Sequence, residues 1–105
     1  MIKGDQLFMD VEGLTEETSD LVVPDGETWD IRHFSGSAAY LEDTTVCIVW
    51  DPAGTPQILD CTHGDKSGPV SFQAVGDGVK VIRISLQNDS NIPRVLGAAW
   101  EGRVI

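Results

Sequence analysis

An all-β, antiparallel two-sheet sandwich of seven to eight short strands is the fold this sequence predicts, on three observations. Gly and Pro divide the chain into runs of roughly five to nine residues, a spacing typical of strands and too short for self-sustaining helices. Within several runs apolar and polar residues alternate with the period of a half-buried strand. The 105 residues, 41% of them hydrophobic, suffice for one core and leave no room for a second domain.

The elements follow in chain order. Leu7, Met9 and Val11 alternate near the start, with Phe8 on the opposite face among charged and polar neighbours. A stretch apolar on both faces suits packing on a neighbouring chain. Residues 1–22 therefore read as an N-terminal arm and first strand, with Leu7, Phe8 and Met9 as candidate partner contacts, and residues 23–105 as the sandwich body of the same domain. Leu14–Asp20 and Ser35–Glu42 each have room for no more than a turn or two of helix. Leu21-Val22-Val23 leads into Pro24-Asp25-Gly26, where Pro fixes φ and Gly accepts the left-handed region. The strand Glu27–Phe34 follows, with Trp29, Ile31 and His33 expected on one face.

In Thr44–Asp51 the run Val46–Trp50 is apolar on both faces, as in a strand covered on both sides. Pro52-Ala53-Gly54-Thr55-Pro56 ends its ladder, because two prolines lack the amide donor. The return through Gln57–Cys61 is expected to place Val49 opposite Leu59 and Cys47 opposite Cys61. Further on, Val70 and Phe72 alternate with Ser71 and Gln73, and Ile82, Ile84 and Leu86 with Arg83, Ser85 and Gln87. Gly76-Asp77-Gly78 between them has tight-turn chemistry, which predicts a hairpin pairing Phe72 with Ile82 and Val70 with Ile84. The last strand runs from about residue 94 to 104, with Trp100 and Val104 sharing a face.

The chain holds 17 Asp and Glu against 7 Lys and Arg, a formal charge of −10. Residues 1–30 contain nine acids and one base, residues 31–66 five and two, residues 67–105 three and four. Such a surplus argues against gripping nucleic-acid phosphates. It suits either a solvated face or an acidic end that meets the near-neutral end of a second subunit. The apolar runs are far short of a membrane span, and Met1–Asp10 does not resemble a secretory leader. Neither nucleic acid nor membrane is therefore an expected partner.

Catalytic chemistry finds little support. His33 and His63 are thirty residues apart with no HxH or CxxC spacing, so metal ligation is not expected, and no cofactor is implied. No serine lies in a GxSxG setting, and the paired carboxylates are what an acidic chain contains anyway. Cys47 and Cys61 are predicted cross-strand neighbours, so a bridge is open to them. Directly opposed pairs fit the geometry poorly, and without a leader the compartment is expected to be reducing, which makes two buried free thiols the expectation. Trp29, Trp50 and Trp100 suit burial in a core or subunit interface, with a sugar-stacking platform as the alternative.

Five stretches carry a resemblance. Val23-Pro24-Asp25-Gly26-Glu27-Thr28-Trp29-Asp30-Ile31 resembles a V-P-x-G-x-x-W-x-I opening found in small virion proteins of tailed bacteriophages. Val49-Trp50-Asp51, Thr62-His63-Gly64-Asp65-Lys66 and Gly76-Asp77-Gly78-Val79-Lys80 extend it. Gly97-Ala98-Ala99-Trp100-Glu101-Gly102 is similar to the G-x-x-W-x-G close of the same group, so the resemblance covers residues 23–102. It implies a jelly-roll-like, often trimeric subunit, with no catalytic residue, that decorates or cements a capsid or belongs to the tail. The expectations are therefore a virion location, partners that are further copies of the chain (as a trimer) and a major capsid or other virion protein, and a non-enzymatic role. The alternative is a tail or fibre module that binds host-surface glycan.

Overall fold

Eight antiparallel strands form the computed structural model, which describes residues 1–38 and 42–105: β1 (Ile2–Val11), β2 (Thr15–Val22), β3 (Thr28–Ala38), β4 (Thr44–Trp50), β5 (Gln57–Thr62), β6 (Lys66–Val75), β7 (Val81–Asn88) and β8 (Arg94–Val104). They make two four-stranded sheets with the orders β1-β8-β3-β6 and β2-β7-β4-β5. The sheets face each other, β1 over β2, β8 over β7, β3 over β4 and β6 over β5. Every connection except β4–β5 changes sheet, so the chain winds around its own core. This strand order is a jelly roll.

Period-two alternation supplies the core. The central strands bury Trp29, Ile31, Phe34, Val46, Ile48, Ile82, Ile84, Leu86, Leu96 and Trp100. The edge strands close the layer with half-buried Leu7, Met9, Leu21, Leu59, Val70 and Phe72. Trp29 and Trp100 pack with ring centroids 6.1 Å apart, and Trp50 meets Phe72 at 6.0 Å. Pro69 lies in β6, an edge strand, where its missing amide donor leaves no central ladder incomplete.

Residues 1–22, expected as an arm and first strand, form β1 and β2. Each is hydrogen-bonded along its length, β1 to β8 and β2 to β7. Leu14–Asp20 makes no helical turn, because from Thr15 onward it belongs to β2. Ser35–Ala38 likewise continues β3, and the remainder of the Ser35–Glu42 stretch includes residues 39–41, outside the described residues. A bulge between Ile31 and His33 resets the inward face of β3 from Trp29 and Ile31 to Phe34, Gly36 and Ala38. His33 is thereby exposed instead of sharing the Trp29/Ile31 face.

The β4–β5 hairpin pairs Cys47 with Cys61 as expected. A bulge at Ile48/Val49 then puts Val49 opposite Ile58 instead of Leu59. The thiol expectation is overturned: Cys47 and Cys61 are joined in a disulfide. Thr45, Cys47 and Val49 alternate outward from buried Val46, Ile48 and Trp50, so the bridge lies half-buried on the outer face of its sheet. The Cα atoms are 4.1 Å apart, the close approach of a non-hydrogen-bonded antiparallel pair, which brings the two side chains together. Because the bridge closes a short hairpin loop, replacing both cysteines by Ser is expected to lower stability by about 2–3 kcal/mol. Denaturant midpoints of the variant, and of the native chain with and without reductant, check this.

The predicted β6–β7 hairpin does not exist, since the two strands lie in different sheets. Alternation marks which side chains point inward, and both strands do point them inward, but from opposite layers. The connection 76–80 instead crosses the end of the sandwich and is stitched to the β2–β3 turn. Gly76 N–H donates to Glu27 O at 2.8 Å, Gly78 N–H to Val23 O at 3.1 Å, and Val23 N–H to Lys80 O at 3.1 Å. Within it, Asp77 Oδ1 accepts the amides of Lys80 at 2.8 Å and Val79 at 2.9 Å. These two backbone bonds, Lys80 first, hold the Asp77 carboxyl below its usual 3.8. A carboxyl depressed in the folded state stabilises fully above its unfolded value and loses that contribution as pH falls through the folded one. The stability difference between native chain and Asp77→Ala is therefore expected to be constant above about pH 5 and to shrink below the unfolded value near 4. Urea midpoints of both proteins against pH measure it.

Candidate interaction surface

The strand alternation of β1 divides the three candidate contacts. Leu7 and Met9 point inward, half-buried against the core, and Phe8 points outward with 58% of its surface exposed. Only Phe8 is thus offered to a partner. Its cross-strand partner is Gly97 of β8, and the ring lies across that residue. A Cβ built on Gly97 would stand 1.8 Å from Phe8 Cδ1, so glycine here makes the bed for the ring. Asp10 pairs with Val95, which puts Val95, 68% exposed, diagonally beside Phe8 on the same outer face. Between Phe8 and Ile2 the same face carries Gly4, Gln6, Ala99, Glu101 and Ser35, with a shallow recess over Gly4 and Ala99.

Sequence reasoning identified Phe8 from alternation with Leu7 and Met9. It did not find Gly97 or Val95, because no local signal joins positions nearly ninety residues apart.

The other candidates are placed as follows. His33 Nε2 pairs with Ser67 Oγ at 3.0 Å on the outer face, bridging β3 to β6. His63 Nδ1 lies 3.2 Å from Thr45 Oγ1 and 3.1 Å from Thr44 O, across the β4–β5 hairpin. His33 lies on β3 and His63 on the β5–β6 connection, and among the described residues no three His, Cys, Asp or Glu side chains are grouped as metal ligands would be. The indoles of Trp29, Trp50 and Trp100 are 2%, 7% and 3% exposed, so none offers a face for sugar stacking. Lys3 Nζ caps the Trp29 ring at 5.2 Å, and Trp29 Nε1 donates to Glu27 at 2.8 Å.

On the opposite sheet the outer face is mixed: Val22, Val49, Ile58 and Val81 lie on it together with charged and polar side chains. Asp20 takes Arg83 through two hydrogen bonds of 2.7 and 2.8 Å and keeps its guanidinium even more firmly protonated. Ser85 donates to Glu16 on the same face. Exposed pairs of this kind contribute about 1 kcal/mol or less, so they serve solubility and register more than strength.

Among the described residues no helix is long and apolar enough to cross a membrane. No known protein family, curated protein or solved structure matches the chain.

Proposed function

We propose that this chain is a non-enzymatic virion structural subunit of a tailed bacteriophage, a capsid decoration or cement protein that works by covering surface. The observation that carries the reading is the outward Phe8–Val95 surface on a jelly-roll sheet: two apolar side chains exposed side by side on its outer face. A partner that covers these two neighbours removes their apolar surface from water. The sequence resemblance over residues 23–102 supplies the class of partner, a major capsid or other virion protein, together with further copies of the chain as a trimer. A subunit of this kind adds buried area across capsomer boundaries and stabilises the shell by mass action. The half-buried disulfide supports the same role, since a particle released from its host meets an oxidising medium.

Quantitative mass spectrometry of purified particles of the phage that encodes the chain tests the proposal. Many copies per particle are expected, and its absence from particles overturns it.

A further inference from the structure

Two Asp-Gly pairs occur in the chain, Asp25-Gly26 and Asp77-Gly78, and both lie exposed on the connections that meet at one end of the sandwich. An aspartate followed by glycine has a reaction of its own. The glycine nitrogen attacks the side-chain carboxyl, and with no Cβ on that glycine nothing blocks the approach. The fold holds one pair and leaves the other loose.

At Asp77-Gly78 both reacting groups are occupied. The carboxylate accepts the amides of Lys80 at 2.8 Å and Val79 at 2.9 Å, and Gly78 N–H donates to Val23 O at 3.1 Å. The same two amides keep the Asp77 carboxyl ionised to lower pH, and an ionised carboxylate is the poorer electrophile. At Asp25-Gly26 neither group is held. Among the described residues the Asp25 carboxylate and the Gly26 N–H have no hydrogen-bond partner. Only the flanks of this turn are fixed, by Glu27 N–H to Pro24 O at 3.1 Å and by Gly76 N–H to Glu27 O at 2.8 Å. Nothing lies within 4 Å of a Cβ built on Gly26, so the tip has room to change shape.

We propose that Asp25-Gly26 is a site of spontaneous succinimide formation and conversion to isoaspartate, and that the fold protects Asp77-Gly78 from the same reaction. Gly26 N gives up its proton to solvent and bonds to Asp25 Cγ, while one carboxyl oxygen leaves as water. A second water then opens the cyclic imide. Addition at the side-chain carbonyl returns aspartate. Addition at the main-chain carbonyl gives isoaspartate, in which the backbone runs through Cβ and Cγ. One water is released and one taken up, so the product is an isomer and no oxidant or reductant is needed. The added backbone atom falls inside the Pro24–Glu27 turn, next to Val23, whose N–H and carbonyl are bonded to Lys80 and Gly78. Conversion therefore loosens the seam between this turn and the 76–80 connection.

Peptide mapping of the native chain after long, warm incubation near neutral pH is the test, with electron-transfer fragmentation to tell isoaspartate from aspartate. Isoaspartate is expected to build up at Asp25 about tenfold or more faster than at Asp77, where hydrogen bonds must open first. In guanidinium chloride the two sites are expected to convert at similar rates. Equal rates in the folded chain overturn the proposal, as does a folded chain in which Asp25 stays unconverted. A preference for Asp25 that persists undiminished in denaturant overturns the protective role of the fold. Asp25→Glu would need a larger ring, so the variant is expected to keep the native unfolding midpoint and to stay unconverted at this position. Amide exchange at Gly78 is expected to quicken in the aged native chain and not in the aged variant. Exchange that conversion leaves unchanged overturns the loosened seam.

Discussion

Asn88→Ala is expected to lower stability by about 4 kcal/mol, close to half of what a small domain possesses. Asn88 ends β7 with its side chain pointing inward and is completely buried. Its Nδ2 donates to Val11 O at 2.9 Å and Ile92 O at 2.8 Å, and its Oδ1 accepts Ser90 N–H at 3.0 Å and Ser90 Oγ–H at 2.6 Å. One amide thus ties the end of β1 to the β7–β8 loop, uniting the two sheets at that end. Alanine strands a buried carbonyl on Val11 and leaves a space that a water cannot fill with the same four bonds. The cost is that of several unsatisfied groups, not of one lost hydrogen bond. Urea unfolding measures the total. Hydrogen exchange locates it, because the Leu14 amide, bonded to Ser90 O, is expected to lose protection first. Ser90→Ala, which keeps the Asn88 donors paired, is expected to cost only about 1 kcal/mol.

Gly76→Ala is expected to cost about 3 kcal/mol, an unusual penalty for adding one methyl group outside a strand. A Cβ there would stand 2.1 Å from Pro24 O, 2.6 Å from Val23 Cγ1 and 2.7 Å from Val23 O. Two of those three atoms are backbone, and the neighbouring bonds from Gly76 to Glu27 and from Gly78 to Val23 prevent the two segments from separating. The variant must break the stitching that carries the chain from β6 in one sheet to β7 in the other. Gly68→Ala is the control, since nothing lies within 4 Å of a Cβ at that position. Its effect is expected to stay within about 0.5 kcal/mol. Equal losses in the two variants would show that chain stiffness, not close approach, sets the cost.

The legibility of this fold in its sequence is uneven, and the unevenness has a cause. Alternation assigned inward faces correctly in β1, β7 and β8, because the core requires apolar side chains at every second position of a strand with one face covered. In β4, expected to be covered on both sides, Val46, Ile48 and Trp50 are buried and Cys47 and Val49 stand on the half-buried outer face. It failed in β3 after Ile31, where a bulge adds a residue and reverses the phase for His33. Nothing in Ile31-Arg32-His33 announces that bulge. The Cys47–Cys61 register was readable from the short loop around Gly54, yet whether the sulfurs joined depended on how closely the two backbones approach. Phe8 was singled out by its phase. The two Asp-Gly pairs read alike, since the Gly78 bond to Val23 that helps to set them apart joins distant segments.

Composition, turn residues and periodicity were enough by themselves to determine that the chain is built of strands, where most of them lie, and which side of β1, β7 and β8 is greasy. Only the tertiary structure decided which strand lies beside which. A jelly roll sends successive strands to opposite layers, so two runs joined by a tight glycine turn face each other across the core instead of pairing edge to edge. Inward-pointing side chains satisfy either arrangement equally. Backbone hydrogen bonds choose between them, and those depend on contacts such as Gly76 with Glu27 and Asn88 with Val11 that join distant parts of the chain.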